Sequence, residues 1–322
     1  MKEIELNTVY NEDCLETMKK IKDKSVNLIV ADFPYFEVKG DFDFIWKDFD
    51  EFLKWVEVCA KEFKRILSDN GSLYVYGNSK KIAYKQIIFD KYFNLENSMV
   101  WHKKDSIQYQ YYSPELARGF NTHNERILFY SNDIDMSKNP FSLYLKDIIK
   151  TNNISNRDIA FLFPSKTGGL TGCVSNWING ENVMTKEQYL ILQNSFNYFK
   201  KDYITLILKY DNFIRQFYNP YKIEEVLNFS QESNITKKYD HPTQKPPKLS
   251  RALIETSTRK GDLAYIPFGG SGVEVEQCQI LGLDWITGDL EKKYCDMIED
   301  RVKNAKGEVG LFEEKNIQLE MF

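Results

Sequence analysis

Apolar residues along this chain fall into two patterns: short unbroken runs, and runs spaced three and four residues apart. Val26-Asn27-Leu28-Ile29-Val30-Ala31 is a run of buried-strand length that ends on Asp32. Ahead of it, Thr8-Val9-Tyr10 reads as a strand, and Leu15, Met18 and Ile21 have the spacing of a short amphipathic helix. Phe52, Trp55, Val56, Cys59, Phe63, Ile66 and Leu67 predict a helix over 49–67, with Asn70-Gly71 as its stop. Ser72–Tyr76, Ser98–Trp101 and Arg126–Tyr130 follow as strands.

The alternation breaks after about residue 132. Residues 136–240 are rich in Asn, Tyr, Phe and Lys and read as helices and loops without a strand–helix repeat. The alternation resumes with a helix at Pro247–Ser257, a strand at Leu263–Pro267, a helix at Gly272–Leu281, a strand at Trp285–Asp289 and a helix at Tyr294–Lys303. Strands alternating with helices imply a mostly parallel sheet covered on both faces. The expected plan is therefore one α/β domain built from 1–135 and 241–305, an inserted mainly helical region at 136–240, and a loose tail at 306–322.

Composition changes this picture little. The chain has 322 residues, 42% hydrophobic and 28% charged, with a formal net charge of -4, ordinary values for a globular protein. Residues 141–250 carry 14 Lys/Arg against 10 Asp/Glu, and phosphate binding needs only a local basic face. No apolar run reaches membrane-span length, and Met1-Lys2-Glu3-Ile4-Glu5 lacks the pattern of a signal peptide. Cys14, Cys59, Cys173, Cys278 and Cys295 show no paired metal spacing, so reduced thiols, a cytoplasmic location and no bound metal are expected.

Two segments carry chemistry. Ile266-Pro267-Phe268-Gly269-Gly270-Ser271-Gly272 joins a strand to a helix, and its glycines let a ligand approach the backbone. The spacing is neither the dinucleotide fingerprint nor a phosphate-binding loop with Lys-Ser/Thr. Asp289 ends the next strand 17 residues on, where nucleoside-binding α/β folds hold ribose hydroxyls. Loop and acid together suit a nucleoside cofactor; the loop alone also reads as a tight turn. Asp32-Phe33-Pro34-Tyr35 sits beyond a strand's carboxyl end, where open α/β sheets gather ligands. A carboxylate and a main-chain carbonyl that accept the hydrogens of a base amino group would aim its lone pair at an electrophilic methyl. Proline stiffens such a loop, and an aromatic ring can stack on an extruded base. Alone, this segment also reads as a strand end followed by a turn.

Taken together, the segments resemble the β-class amino-methyltransferases of bacterial and phage DNA modification, in which an Asp-Pro-Pro-Tyr-type motif precedes the cofactor loop. The resemblance covers roughly 1–132 and 241–305. Asn11-Glu12-Asp13-Cys14 is similar to the segment bordering the cofactor adenine, and His241-Pro242-Thr243-Gln244-Lys245-Pro246 matches a family signature in full. Val100-Trp101-His102-Lys103-Lys104 and His123-Asn124-Glu125-Arg126 fall where the family has Trp-x-Lys and His-Glu elements, though each could be a packed strand with a solvated charge.

The resemblance implies a Rossmann-like methyltransferase fold with a mostly parallel seven-stranded sheet. It implies methyl transfer from S-adenosylmethionine to N6 of a flipped adenine in double-stranded DNA, with cytosine N4 as the alternative. Asp32 and the Phe33 carbonyl would hold the amino group, with Pro34 shaping the loop and Tyr35 stacking on the base. Asp13, Cys14, Asp32, Pro267, Phe268, Gly269, Gly270, Ser271, Gly272 and Leu290 would line the cofactor, Asp289 its ribose, and His241, Thr243 and Lys245 its methionine end. Lys103 and Lys104 would contact DNA. Two positions depart from the pattern: Phe33 stands where proline is usual, and Ile266 where an aspartate is usual. The second loses a polar contact near the cofactor, for which Asp262 or Glu274 could compensate. It leaves open a DNA-binding relative with weak catalysis. A protein glutamine methyltransferase is excluded by segment order, since its cofactor loop comes first.

Within the insert, 154–163 and the segment from Thr171 to Ile178 read as two helices, resembling a helix-turn-helix that would turn Asn156, Ser175 and Asn176 to DNA. A plain helical hairpin with Ile159 and Trp177 as core fits equally well. Gln318-Leu319-Glu320-Met321-Phe322 resembles the peptide by which bacterial replication proteins dock on the sliding clamp. A homodimer is also compatible with the sequence.

Overall fold

The computed structural model describes residues 4–36, 45–103, 123–132, 134–166, 168–215, 217–231, 239, 241 and 243–306. Lys104, Pro242 and the 318–322 segment singled out in the sequence lie outside these residues. The described residues divide into two compact units, one formed by the segments up to 132 and from 217 to 306, the other by 134–215.

In the first unit the elements run β1 (Thr8–Tyr10), α1 (Cys14–Lys20), β2 (Val26–Ala31), α2 (Phe49–Ile66), β3 (Leu67–Asn78), α3 (Ile82–Phe89), β4 (Asn94–His102) and β5 (Asn124–Ser131). The second unit holds α4 (Pro140–Asn152), α5 (Asn156–Ala160), α6 (Cys173–Asn179), α7 (Lys186–Ser195) and α8 (Tyr203–Ile214). The first unit then resumes with β6 (Val226–Asn228), α9 (Pro247–Ser257), β7 (Leu263–Ile266), α10 (Val273–Ile280), β8 (Asp284–Gly288) and α11 (Lys292–Lys303).

Among the described residues the sheet has eight strands in the order β1-β8-β7-β2-β3-β5-β4-β6, one more than expected. The additional strand is β6, three residues that pair parallel with Val100–His102. Composition placed these residues in the insert, because a three-residue strand shows no period. The neighbours β1, β8, β7, β2 and β3 are all parallel, whereas β5 is antiparallel to both β3 and β4. The first group therefore presents a row of carboxyl ends at one edge of the sheet. Because β5 runs the other way, its first residues come to the same edge: Glu125 lies opposite Asn78 and Trp101.

Helices cover both faces, which explains the unbroken apolar run of β2. Val26, Ile29 and Ala31 belong to the core with α1 and α2; Leu28 and Val30 belong to the core with α9 and α10. Capping sets the helix starts. Asp13 Oδ1 accepts from Leu15 N at 2.7 Å and opens α1, and Asp48 Oδ1 accepts from Glu51 N at 2.8 Å and opens α2. One boundary differs from expectation. The chain goes directly from α2 into β3 at Leu67, and Asn70-Gly71 lies inside that strand. The β2–β3 register jumps there, from Val26↔Leu67 to Leu28↔Ser72, so these turn-forming residues occupy an irregularity instead of stopping a helix.

The helical unit has its own core of Phe141, Leu145, Ile159, Trp177, Tyr189 and Leu206. Capping boxes begin α5 (Ser155 with Asp158) and α7 (Thr185 with Gln188), and Gly180 in the left-handed region ends α6. The first of the two helices read from 154–163 is only the five residues of α5. No helix among the described residues is long and apolar enough to cross a membrane.

Candidate active site

A cavity of about 330 Å³ opens at the carboxyl ends of β1, β8, β7 and β2. Each strand delivers one part of its wall. The turn after β1 brings Glu12, Asp13 and Cys14; the end of β2 brings Asp32 to Tyr35. The end of β7 brings Pro267, Phe268 and Gly270, and the end of β8 brings Asp289, Leu290 and Glu291. Pairing of Ile29 with Tyr265 puts Asp32 and Phe268 at the same height, each three residues beyond the pair.

The loop after β7 is shaped by packing. A Cβ on Gly269 would lie 2.5 Å from Ile298 Cδ1 and 2.8 Å from Thr287 Oγ1, and Gly272, at φ +75°, sits against the backbone of Ile298. These two glycines seat the loop on α11, while Gly270 faces the cavity near His241. Asp289 fastens the loop: Oδ2 accepts from Gly270 N and Oδ1 from Glu291 N, both at 3.0 Å. Burial raises the Asp289 carboxyl above its ordinary range. Arg301 of α11, itself buried, joins the loop to the signature hexapeptide by donating to Ser271 O at 3.2 Å and Gln244 Oε1 at 2.9 Å. His241 and Thr243 line the cavity.

The Asp32–Tyr35 segment is held by aromatic rings and lysines. Phe33 is fully buried among Trp55, Phe63, Phe89 and Phe268, with ring centroids 4.8 to 6.0 Å away. After Tyr35 the backbone turns through Phe36 at φ 53°, a left-handed conformation costly for a residue with a Cβ. Two lysines one turn apart secure this bend. Lys81, at the start of α3, donates to Phe36 O at 2.7 Å. Buried Lys85 donates to Tyr76 O at 3.2 Å and lies 4.9 Å from the Phe33 ring centre.

Lys245 departs most from the sequence expectation. It is not on the cavity wall. Its buried ammonium group pairs with Asp32 Oδ2 at 2.7 Å and Glu125 Oε2 at 3.2 Å, and donates to the Tyr35 hydroxyl at 3.1 Å. Burial alone would lower the Lys245 pKa, but Asp32 and Glu125 more than reverse this and raise it. Glu125 in turn takes Lys103 on its other oxygen, at 2.6 Å. Burial would raise the Glu125 carboxyl, yet Lys245 and Lys103 hold it at about 2. Lys103, expected at DNA, is thus engaged with the polar network, and its Nζ lies 5.0 Å from the Trp101 ring centre.

Of the two acids considered as replacements for the missing aspartate, Asp262 caps the turn before β7 by accepting from Arg259 N. Glu274 is buried, accepts from Ser250 Oγ at 2.8 Å, and feels the charges of Asp32 and Lys245. Ile266 belongs to the apolar core shared with α9 and α10 and does not line the cavity. In the helical unit Asn156 and Ser175 are exposed; the Asn176 amide nitrogen is oriented to reach Gly172 O and Glu181 Oε2, each at 3.3 Å. Sequence reasoning missed Ile45, Trp46, Trp55, Glu291 and Tyr294 on the cavity wall, and Glu125, Lys85 and Arg301 around it. Only Glu125 had a signal, the His-Glu element.

Comparison with known proteins follows this geometry. A family model described as DNA methylase matches residues 26–300. The type II methyltransferase M.HinfI of Haemophilus influenzae is 26% identical over 321 residues, 94% of this chain and 69% of the relative. The DNA adenine methyltransferase YhdJ of Escherichia coli K12 is 24% identical over 91% of this chain and 81% of its own. Among solved structures, TTHA0409, a DNA modification methylase of Thermus thermophilus complexed with S-adenosyl-L-methionine, aligns with a TM-score of 0.52 at 18% identity, covering 94% of this chain and 97% of that one. The PvuII cytosine-N4-specific DNA methyltransferase aligns at 0.54 and 16% identity, covering 98% and 92%. At these identities the structural likeness speaks for the fold.

Proposed function

Because the chain belongs to the DNA methylase family, we propose that it transfers a methyl group from S-adenosylmethionine to the N6 amino group of adenine in double-stranded DNA. The observation that carries this reading is that Asp32, fixed by Lys245, borders the same cavity as the Phe268–Gly270 loop and Asp289. That cavity suits a nucleoside cofactor. Phe33, Trp46, Trp55 and Phe268 give it aromatic walls, Gly270 lets a ligand approach the backbone, and Asp289 offers a carboxylate for ribose hydroxyls.

When bound, S-adenosylmethionine supplies an electrophilic methyl group. The protein's task is to position the acceptor. An exocyclic amino group is a poor nucleophile because its lone pair is delocalised into the ring. In this reading Asp32 and the Phe33 carbonyl accept its two hydrogens, which turns the lone pair out for in-line displacement. Extruding the base from the duplex brings it to Asp32, where Tyr35 offers an aromatic face. Lys245 keeps Asp32 charged and aimed by its contact at 2.7 Å. Exposed Asn156 and Ser175 are the residues of the helical unit assigned to DNA contact.

Adenine is favoured over cytosine by the aspartate at the first motif position, a family preference, and by the similarity to an adenine methyltransferase. The test is to incubate the protein with double-stranded DNA and methyl-labelled cofactor, digest the DNA to nucleosides and identify the labelled product. Labelled N6-methyladenine is expected. N4-methylcytosine would move the assignment to the other base, and the absence of any labelled base would remove the enzymatic reading.

A further inference from the structure

The Tyr35 hydroxyl has one proton and two carboxylates to give it to. Glu125 Oε2 lies at 2.7 Å and Asp32 Oδ1 at 3.0 Å, while Lys245 donates to the same hydroxyl oxygen from 3.1 Å. The choice matters for chemistry, because Asp32 Oδ2 is already taken by Lys245. If the Tyr35 proton goes to Asp32, both oxygens of that carboxylate are engaged before a base arrives. If it goes to Glu125, Asp32 Oδ1 faces the cavity as an open acceptor.

We propose that Glu125 is a positioning residue for methyl transfer, drawing the Tyr35 proton to itself so that the Asp32 carboxylate stays free for the incoming amino group. The shorter distance favours Glu125. So does its anchoring, because Lys103 holds its other oxygen at 2.6 Å and the β3–β5–β4 register fixes its Cα opposite Asn78 and Trp101. Charge-assisted acceptance by a carboxylate is roughly twice as strong as by a neutral group, so the effect depends on the charge of Glu125 and not only on its shape.

This inference rests on methyl transfer at the site, and its test is a double-mutant cycle. In Glu125→Gln the nearest remaining anion is Asp32, the Tyr35 proton turns to it, and kcat falls by about 30-fold with the cofactor Kd changed less than about twofold. Tyr35→Phe alone lowers kcat by about fivefold through loss of the Lys245 contact. The two losses do not multiply. Removing the Tyr35 proton reopens Asp32, so the double variant recovers to about the Tyr35→Phe rate. Glu125→Asp keeps the charge but withdraws the carboxylate by one methylene; it falls about tenfold and is relieved by Tyr35→Phe in the same way. This second variant keeps the test intact if the glutamine protein fails to fold. Losses that multiply in the double variants, or a Glu125→Gln protein with the wild-type rate, overturn the proposal. Wild-type protein that transfers no methyl removes the underlying reading as well, and is told apart by its inactivity.

Discussion

Phe33 and Phe268 meet ring to ring at 4.8 Å, one from the end of β2 and the other from the end of β7. The contact joins the segment assigned to the acceptor base to the loop assigned to the cofactor. It also accounts for the residue at the second motif position. Proline there would stiffen the backbone by its ring; Phe33 stiffens it by burial among four aromatic neighbours, with Lys85 lying over its ring.

Truncation at this position should therefore cost stability as well as activity. Phe33→Ala removes a fully buried ring and is expected to destabilise the fold by about 3–5 kcal/mol. Phe33→Pro restores the usual family residue but vacates the same aromatic slot, so it too should unfold earlier. Urea denaturation of the three proteins checks this. Equal midpoints would show that the cluster does not hold the segment.

Gly269 makes a separate prediction. A methyl group there meets Ile298 Cδ1 at 2.5 Å and Thr287 Oγ1 at 2.8 Å, with Gly288 O at 3.2 Å on the backbone side. Gly269→Ala should cost about 1–3 kcal/mol by overpacking and weaken cofactor binding by about tenfold or more as the loop leaves α11. Calorimetric titration with S-adenosylmethionine reads this directly; unchanged affinity would contradict the packing role given to the loop.

Acid stability should report on Glu125. Its carboxyl is held at about 2 in the folded protein, against an ordinary 4.5. A depressed folded pKa contributes stability that is fully present above the unfolded value and disappears as pH falls through the folded one. The contribution is up to roughly 3 kcal/mol at 1.36 kcal/mol per pKa unit. Denaturation midpoints should fall between pH 4.5 and pH 2, and Glu125→Gln should flatten that slope. A slope identical in both proteins would mean that the lysines do not stabilise the charged form.

Much of this architecture could be read from the chain because its signals are local. The apolar run ending on Asp32, the glycine loop after Leu263–Ile266 and the acid closing Asp284–Gly288 each sit within one element. What could not be read depends on register and on helix faces. Glu125 reaches the site because β5 runs antiparallel to β3 and β4, which no single strand discloses. Lys85 lies on α3, a helix without a marked apolar stripe, so nothing distinguishes it from a solvated lysine. Lys245 was recognised by its motif but given to the wrong neighbour; its ammonium group serves Asp32.

The central claim is that Asp32 orients the acceptor amino group and is dispensable for holding the cofactor. The most direct measurement compares wild-type protein with Asp32→Asn, which keeps the side chain's size and polarity beside Lys245, for labelled methyl transfer to double-stranded DNA at equal cofactor occupancy. The account predicts labelled N6-methyladenine from the wild type, a rate lower by about 100-fold or more in the variant, and a cofactor Kd within about twofold. Equal transfer by the two proteins, or loss of cofactor binding along with transfer in a folded variant, would contradict it.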